Sequence, residues 1–171
     1  MYLKLAVFAI CLTSTFAFPD GAPTAACTSL IPQHGQQLNF DLPLEVLFSS
    51  TSVSAGSLLT VSLRALNGTV FGDFQFRGFI VQARIDDGSG RVVGFFETGP
   101  GVRHVVCPTL YPESSVTHTI HDDKAFIQFN WRAPADVGGS PYVVRFYHTI
   151  VMNVGIYWSN QVSAPVTILP H

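Results

Sequence analysis

The 171-residue sequence predicts an all-β fold, an antiparallel β-sandwich of about eight or nine strands. From residue 44 onward, apolar and polar residues alternate with the period of two that is typical of half-buried strands. Turn-forming residues recur at strand-length intervals, and no stretch combines sustained helical periodicity with good caps. We therefore expect one domain whose core lies between two sheets.

Two segments show the alternation most clearly. In LLTVSLRA (58–65), four apolar side chains fall on one face, and in KAFIQFNWRAP (124–134) a second set does the same. These two inward-facing sets are Leu59, Val61, Leu63 and Ala65, and Ala125, Ile127, Phe129 and Trp131. Both segments are predicted to be strands with one buried face.

Five further segments complete the predicted sandwich. GFIVQARI (78–85) and RVVGFFE (91–97) repeat the half-buried pattern, and the turn sequence DDGSG between them predicts a hairpin. YVVRFYHTIV (142–151), GIYWSN (155–160) and QVSAPVTIL (161–169) are predicted to supply the last strands.

Residues 1–17 have the features of a secretory signal peptide. One lysine precedes the apolar run 5–12, which is too short to cross a bilayer, and Thr15 and Ala17 suit cleavage before Phe18. A signal-anchor helix is the alternative. No later stretch is long and apolar enough to span a membrane. We expect a secreted, extracellular protein with a single domain over 18–171 and a core over about 27–168.

The charge balance excludes two classes of function. Charged residues make up only 12% of the chain, against about 25% in an average protein, so the surface is lightly charged. Removal of residues 1–17 takes away one lysine and no acidic residue, which changes the formal net charge from −2 to −3. A mildly acidic protein lacks the positive field needed for nucleic-acid binding or for cationic disruption of membranes.

The cysteines predict one disulfide. Cys11 leaves with the signal peptide, and in an oxidising compartment the remaining Cys27 and Cys107 are expected to pair. The closed loop of about 80 residues would stabilise the fold by about 4–5 kcal/mol in the chain-entropy model. It would also attach the turn-rich stretch FPDGAPTAACTSLIPQHG (18–35) to the body. A two-cysteine metal site or redox pair is the alternative, but no C-x-x-C motif is present.

Several motifs, in order along the mature chain, resemble the reeler domain family. They are G-A-P-x-x-A-C-x-x-x-x-P-x-H-G (21–35), F-R-G-F-x-x-Q-A-R (76–84), V-T-H (116–118) after Cys107, W-x-A-P (131–134), and F-x-x-T-I-V (146–151) followed by Tyr157 and Trp158. The resemblance implies an immunoglobulin-like sandwich with a Cys27–Cys107 bridge. The family includes the N-terminus of reelin, spondins, ferric-chelate reductases and small secreted insect defence proteins. A single domain behind a signal peptide is most similar to the last group, which implies an antimicrobial or immune role.

Two candidate sites lie on the predicted surface. Asn67-Gly68-Thr69 is an N-glycosylation sequon in a loop between strands, although Asn-Gly is also a favourable turn dipeptide and both interpretations can hold. Arg77, Arg84 and Arg91 could form a basic strip that binds sulfated glycans or other anionic polymers. Scattered solubilising charges are the alternative explanation for these arginines.

The histidines are predicted to make structural hydrogen bonds rather than to bind a metal. His118 and His121 invite a metal site, but residues three apart on a strand face opposite ways and no third ligand has suitable spacing. We expect His118 to hydrogen-bond inside the sandwich and His121 to lie with Asp122 and Asp123 in a solvated turn. His148 and His34 are likewise expected to make structural hydrogen bonds.

No catalytic constellation is recognisable. The sequence has no Gly-x-Ser-x-Gly motif, no P-loop and no dinucleotide fingerprint, so we predict neither an enzyme nor a cofactor. The leading hypothesis is a defence protein of innate immunity that acts by binding, with microbial surfaces or anionic glycans as partners. A matrix-associated, glycan-binding structural module is the second hypothesis.

Overall fold

The computed structural model describes residues 18–136 and 138–171, so the predicted signal peptide lies outside the described residues. The fold is all-β, as predicted, with twelve strands and one short helix in this part of the chain. The elements are α1 (Ala26–Ser29), β1 (Gln36–Gln37), β2 (Leu44–Phe48), β3 (Ser52–Ser54), β4 (Leu58–Ala65), β5 (Gly78–Ile85), β6 (Phe95–Glu97), β7 (Val102–His104), β8 (Ser115–His118), β9 (Phe126–Arg132), β10 (Tyr142–Asn153), β11 (Ile156–Val162) and β12 (Val166–Leu169). None of the described segments is a helix of the length and apolarity that a bilayer crossing needs.

The strands form two sheets. The larger sheet has eight strands in the order β1-β11-β10-β5-β8-β7, and β12 pairs with both β10 and β3. The smaller sheet has the order β2-β4-β9-β6. Strand pairs are antiparallel except β1 with β11 and β12 with β3, which are parallel. The two parallel pairs correct the expectation of a purely antiparallel sandwich.

The core lies between the inner faces of the two sheets. The predicted inward sets are buried within β4 and β9, with Leu63 and Trp131 fully covered, but Ala125 precedes β9 and is exposed, contrary to the prediction. They pack against the inward residues of β5 and β10, where the rings of Trp131 and Phe146 meet edge to face at 5.3 Å between centroids. This confirms the prediction of which face of β4 and which face of β9 lie in the core.

The expected strand number, about eight or nine, is too low. In the part of the chain that the structure describes, four of the twelve strands (β1, β3, β6 and β7) have only two or three residues. An alternating pattern needs about four residues to be recognised, so β1, β3 and β7 give no signal in the sequence, whereas β6 lies inside the predicted segment 91–97. The segment 161–169 also divides, because its first two residues end β11 and β12 begins only at Val166.

The predicted hairpin between 78–85 and 91–97 is wrong beyond its turn. Ile85 donates its N–H to Arg91 O, and Val93 donates to Ala83 O, but the chain then leaves the larger sheet. It crosses to the smaller sheet, where β6 pairs with β9. Gly94 makes the change of direction at φ +66°, and a Cβ there would lie 2.5 Å from the Trp131 ring. Only glycine fits this crossing without displacing the central tryptophan.

Candidate functional site: a cavity beneath the N-terminal segment

Strand β5 is buried on both faces. Its inner side chains lie in the core, and its outer side chains are covered by residues 18–35, hereafter the N-terminal segment. Ile80, on the outer face, packs with Leu30, Val105 and the cysteines in a second apolar cluster. The half-buried strand that the sequence predicts for 78–85 is therefore wrong in this respect, because the N-terminal segment removes its outer face from water.

The disulfide joins the N-terminal segment to the larger sheet. Cys27 lies in α1 and is bonded to Cys107, with 5.7 Å between their Cα atoms, as the cysteine count predicts. The helix ends at Leu30, whose φ of 55° is left-handed and whose N–H bonds back to Ala26 O. Because the bond spans 80 residues, it ties two distant parts of the chain together at the outer face.

Buried polar side chains hold the carbonyls of the same segment. Gln82, fully buried on the outer face of β5, donates from Nε2 to Cys27 O at 2.8 Å and to Ser115 Oγ at 2.9 Å. Thr149 Oγ1 donates to Leu30 O at 2.5 Å. Thr117 Oγ1 accepts the N–H of Ala22 at 2.9 Å. The bonds to Cys27 O, Leu30 O and the Ala22 N–H each satisfy a backbone group that no strand pairing would satisfy.

The structure separates the three arginines of the predicted basic strip. Arg84 donates twice to Gln82 Oε1, at 2.7 and 3.2 Å, and its guanidinium lies 4.8 Å from the centre of the Tyr147 ring. Arg91 is exposed across the turn, but Arg84 pairs with Val92 and Arg91 lies opposite Ile85, so the side chains of Arg84 and Arg91 leave their strands on opposite faces. Arg77 lies beyond the opposite end of β5, about 23 Å away along the strand. The structure therefore does not bring the three arginines together in one strip.

A cavity of about 240 Å³ lies between the N-terminal segment and the larger sheet. Its floor is the outer face of β5 and β10, including Gly78, Ile80 and Val151. Its roof is the N-terminal segment itself, including Phe18, Ala22 and Leu30, and most lining residues are apolar. Concave, mostly apolar sites of this kind are where small molecules bind to proteins. The cavity is the candidate functional site.

Three histidines border the cavity, and two of them hold structural positions. His118 is buried, and its Nδ1 accepts the N–H of Phe79 at 3.2 Å. His34 lies at the far end of the roof, where Nδ1 donates to Val154 O at 3.0 Å. His121 is exposed at the rim, in the turn with Asp122 and Asp123. These positions agree with the structural roles predicted for the three residues.

Burial lowers the pKa of two histidines, His118 and His148. Desolvation is the main cause that lowers the pKa of His118 from 6.5 to about 4, and the nearby positive charges of Lys124 and Arg103 act in the same direction. His148 lies on the core face of β10, where its Nδ1 contacts Phe146 O at 3.2 Å, as predicted. Desolvation also lowers the pKa of His148 to about 4. Both rings are therefore neutral at pH 7.

The turn beside the cavity is built around a buried lysine. Lys124 Nζ donates to the carbonyls of Arg77, Ile120 and Asp122, and it also pairs with the Asp122 carboxylate. Arg77 in turn pairs with Asp123 at 2.7 Å, and this hydrogen bond holds the pKa of that carboxyl below its usual value. Across residues 18–136 and 138–171, no cluster of three histidine, cysteine or acidic side chains could hold a metal ion.

A model of the reeler domain family matches residues 25–170 of this sequence. The chain belongs to the reeler domain family. Defense protein l(2)34Fc of Drosophila melanogaster is 33% identical over 169 residues, which are 96% of this chain and 98% of the relative. The fold resembles two crystal structures of F-spondin reeler domains, one of them human, with TM-scores of 0.62 and 0.58. Both are 17% identical in sequence, and they cover 85% and 81% of this chain and 100% and 93% of their own.

The cavity of this reeler domain was missed by the sequence analysis. One signal for it exists. In GFIVQARI, apolar residues stand at both odd and even positions, which indicates a strand that is covered on both faces. The motif residues Gln82, Thr117 and Thr149 are a second signal, because polar side chains in such a strongly apolar setting need partners. Neither signal identifies which part of the chain forms the roof.

Replacement of the buried amide should loosen the roof. We expect Gln82→Leu to lower the free energy of unfolding by about 2 kcal/mol, because Cys27 O and Ser115 Oγ lose a buried donor. Urea unfolding followed by tryptophan fluorescence measures this. Gln128→Leu on the exposed face of β9 is the matched control and should change stability little. Equal effects of the two variants would contradict the anchoring role of Gln82.

The two neutral histidines should make the fold sensitive to mild acid. Their pKa is about 4 in the folded state against 6.5 unfolded, so the unfolded chain binds more protons between these values. Stability should be complete above pH 6.5 and fall as the pH drops to 4, by about 3 kcal/mol for each histidine. Urea unfolding at several pH values measures the slope.

The variant His118→Asn keeps a hydrogen-bond acceptor for Phe79 N–H but cannot titrate, so it should remove about half of this slope. The control His121→Gln, at an exposed side chain, should leave the slope unchanged. A slope that His118→Asn does not reduce would show that other groups cause the acid sensitivity.

Proposed function

We propose that this reeler-domain protein is a secreted defence protein that acts by binding and not by catalysis. The observation that carries the proposal is the preformed apolar cavity, roofed by a cross-linked segment on a rigid two-sheet body. The full-length similarity to an insect protein named a defense protein supports the defence role. The disulfide supports an extracellular location, because such bonds persist in oxidising compartments.

The state of the histidines supports binding over catalysis. A general base works best when its pKa lies near the operating pH, but the pKa of His118 is about 4. Its Nδ1 is moreover already engaged by the Phe79 N–H. The buried imidazole that lines the cavity is therefore a structural group, and the cavity is suited to holding a molecule rather than transforming it.

The charge of the mature chain supports recognition of microbes rather than lysis. A formal charge of −3 after loss of residues 1–17 gives no net attraction to anionic bacterial membranes. Contact with a microbial surface must then come from specific contacts, which are short-ranged and survive high salt.

Binding of anionic glycans is the second candidate function. Arg91 is exposed in the turn after β5 and could contact a sulfated chain, whereas Arg84 lies on the opposite face and is held by Gln82 and Tyr147. Arg77 is distant from Arg91 and is paired with Asp123. The proposal of a glycan site is therefore limited to the turn that contains Arg91.

Secretion and glycosylation can be tested in one expression experiment. Asn67 is exposed in a turn where Thr69 Oγ1 donates to Gly72 O, so we propose that it carries an N-glycan. The full chain produced in insect cells should be recovered from the medium with Phe18 as its first residue. Peptide N-glycosidase should lower its mass, and Asn67→Gln should abolish that change. Retention in the cell membrane with an intact N-terminus would contradict secretion.

The binding role can be tested on bacterial cells. We expect the purified protein to sediment with bacteria both at low salt and in about 1 M NaCl, without lysing them, because its net charge is negative. Arg91→Ser, which removes one charge of the proposed glycan site, should leave this binding intact but reduce retention on heparin. Salt-sensitive lysis, or no association with bacteria at either salt concentration, would overturn the proposal.

A further inference from the structure

The size of the cavity limits what it can hold. An engineered protein cavity of about 150 Å³ accommodates benzene, so a cavity of about 240 Å³ has room for about ten non-hydrogen atoms in close packing. A sugar polymer or a peptide would not fit into this volume. A short alkyl chain or a single substituted ring would fill it.

The floor of the cavity has no room for a side chain at one strand position. A Cβ at Gly78 would point outward from β5 and would lie 2.9 Å from Cε1 of His118 and 3.4 Å from Cβ of Val151. Ile80 and Val151 flank this position and present only hydrocarbon, whereas His118 and Thr149 add polar atoms to the lining. The part of the floor formed by Ile80 and Val151 is therefore complementary to an apolar body.

The mouth of the cavity carries one fixed positive charge. Arg77 is the only lining residue with a permanent charge, and none of the lining residues is acidic. Its Nε and Nη2 bond to Asp123, whereas Nη1 has no hydrogen-bond partner in the described part of the chain. The Arg77 side chain is about half exposed, so Nη1 can be reached from solvent. Asp123 occupies the fork formed by Nε and Nη2, and the two N–H groups of Nη1 are left to donate to a carboxylate.

We propose that the cavity binds a small amphipathic carboxylate, with its apolar part between the N-terminal segment and Ile80 and Val151 and its carboxylate against Nη1 of Arg77. The inference rests on the binding role proposed above and names the chemical class of ligand for it. Octanoate has the required size and charge, and it serves as the probe for medium-chain fatty acids and small aromatic acids alike.

Isothermal titration calorimetry of the mature protein with octanoate is the first measurement. We expect saturable binding of one molecule with a Kd below about 1 mM, which is the range for a ligand of this size. 1-Octanol, which has the same chain without the charge, should bind up to about fivefold more weakly, since the partner is an exposed arginine. Failure of octanoate to bind would overturn the inference.

Three variants test the assigned contacts. Val151→Phe should fill the floor and abolish octanoate binding, while Val70→Phe, the same change at an almost fully exposed residue, should not affect it. Arg77→Gln should make octanoate and 1-octanol bind equally, and because Arg77 is on the surface this variant should fold even if Val151→Phe does not. An unchanged octanoate affinity in Arg77→Gln, or in folded Val151→Phe, would contradict the assigned site.

The octanoate titration and the test of the proposed defence function give independent results. Sedimentation with bacteria is measured on the same preparation, and it decides the defence role whether or not octanoate binds. A titration with 3-phenylpropanoate distinguishes the two sources of the carboxylate. Tighter binding than octanoate would assign the site to aromatic acids, and weaker binding would assign it to fatty acids.

Discussion

The hydrogen bonds from buried side chains to the carbonyls of the N-terminal segment are the interaction on which the rest of this structure depends. The outer face of β5 carries Ile80 and must be covered, but the covering segment has too many prolines and glycines to add a strand to the sheet. Its backbone groups must therefore be satisfied one at a time. Gln82 and Thr149 do this from the sheet, and the disulfide brings the segment within their reach.

This constraint explains which residues define the family resemblance. Gln82 and Arg84 belong to the F-R-G-F-x-x-Q-A-R motif, and in the structure the arginine holds the glutamine that holds Cys27. Thr149 of the F-x-x-T-I-V motif caps the end of α1 at Leu30. The motifs therefore describe how the N-terminal segment is attached. They also supply much of the cavity lining, including Arg77, Gly78 and Val151, whereas Phe18 and Val154 line the cavity from outside every motif.

The sequence predicts long strands well and covering segments poorly. The bounds of β4 and β5 agree with the predicted segments to the residue, since eight alternating or apolar residues between turns leave little ambiguity. The short strands β1 and β3 pair in parallel with distant partners, which no local pattern reveals. The cavity could not be predicted for the same reason: its roof and floor are separated by more than 40 residues in the sequence, and their contact is set by tertiary packing.

The way the roof is attached also determines how the cavity can work. The roof is fixed at Cys27 by the disulfide, at Ala22 by Thr117, and at its far end by the bond between His34 and Val154 O. A roof held at several points has little freedom left to lose when a molecule enters beneath it, so the ordering cost of binding is small. The same attachment keeps the roof from rising to admit a larger molecule. For the ligand class proposed above, selection would therefore be by size first and by charge at Arg77 second, which is how a preformed cavity differs from an adaptable surface.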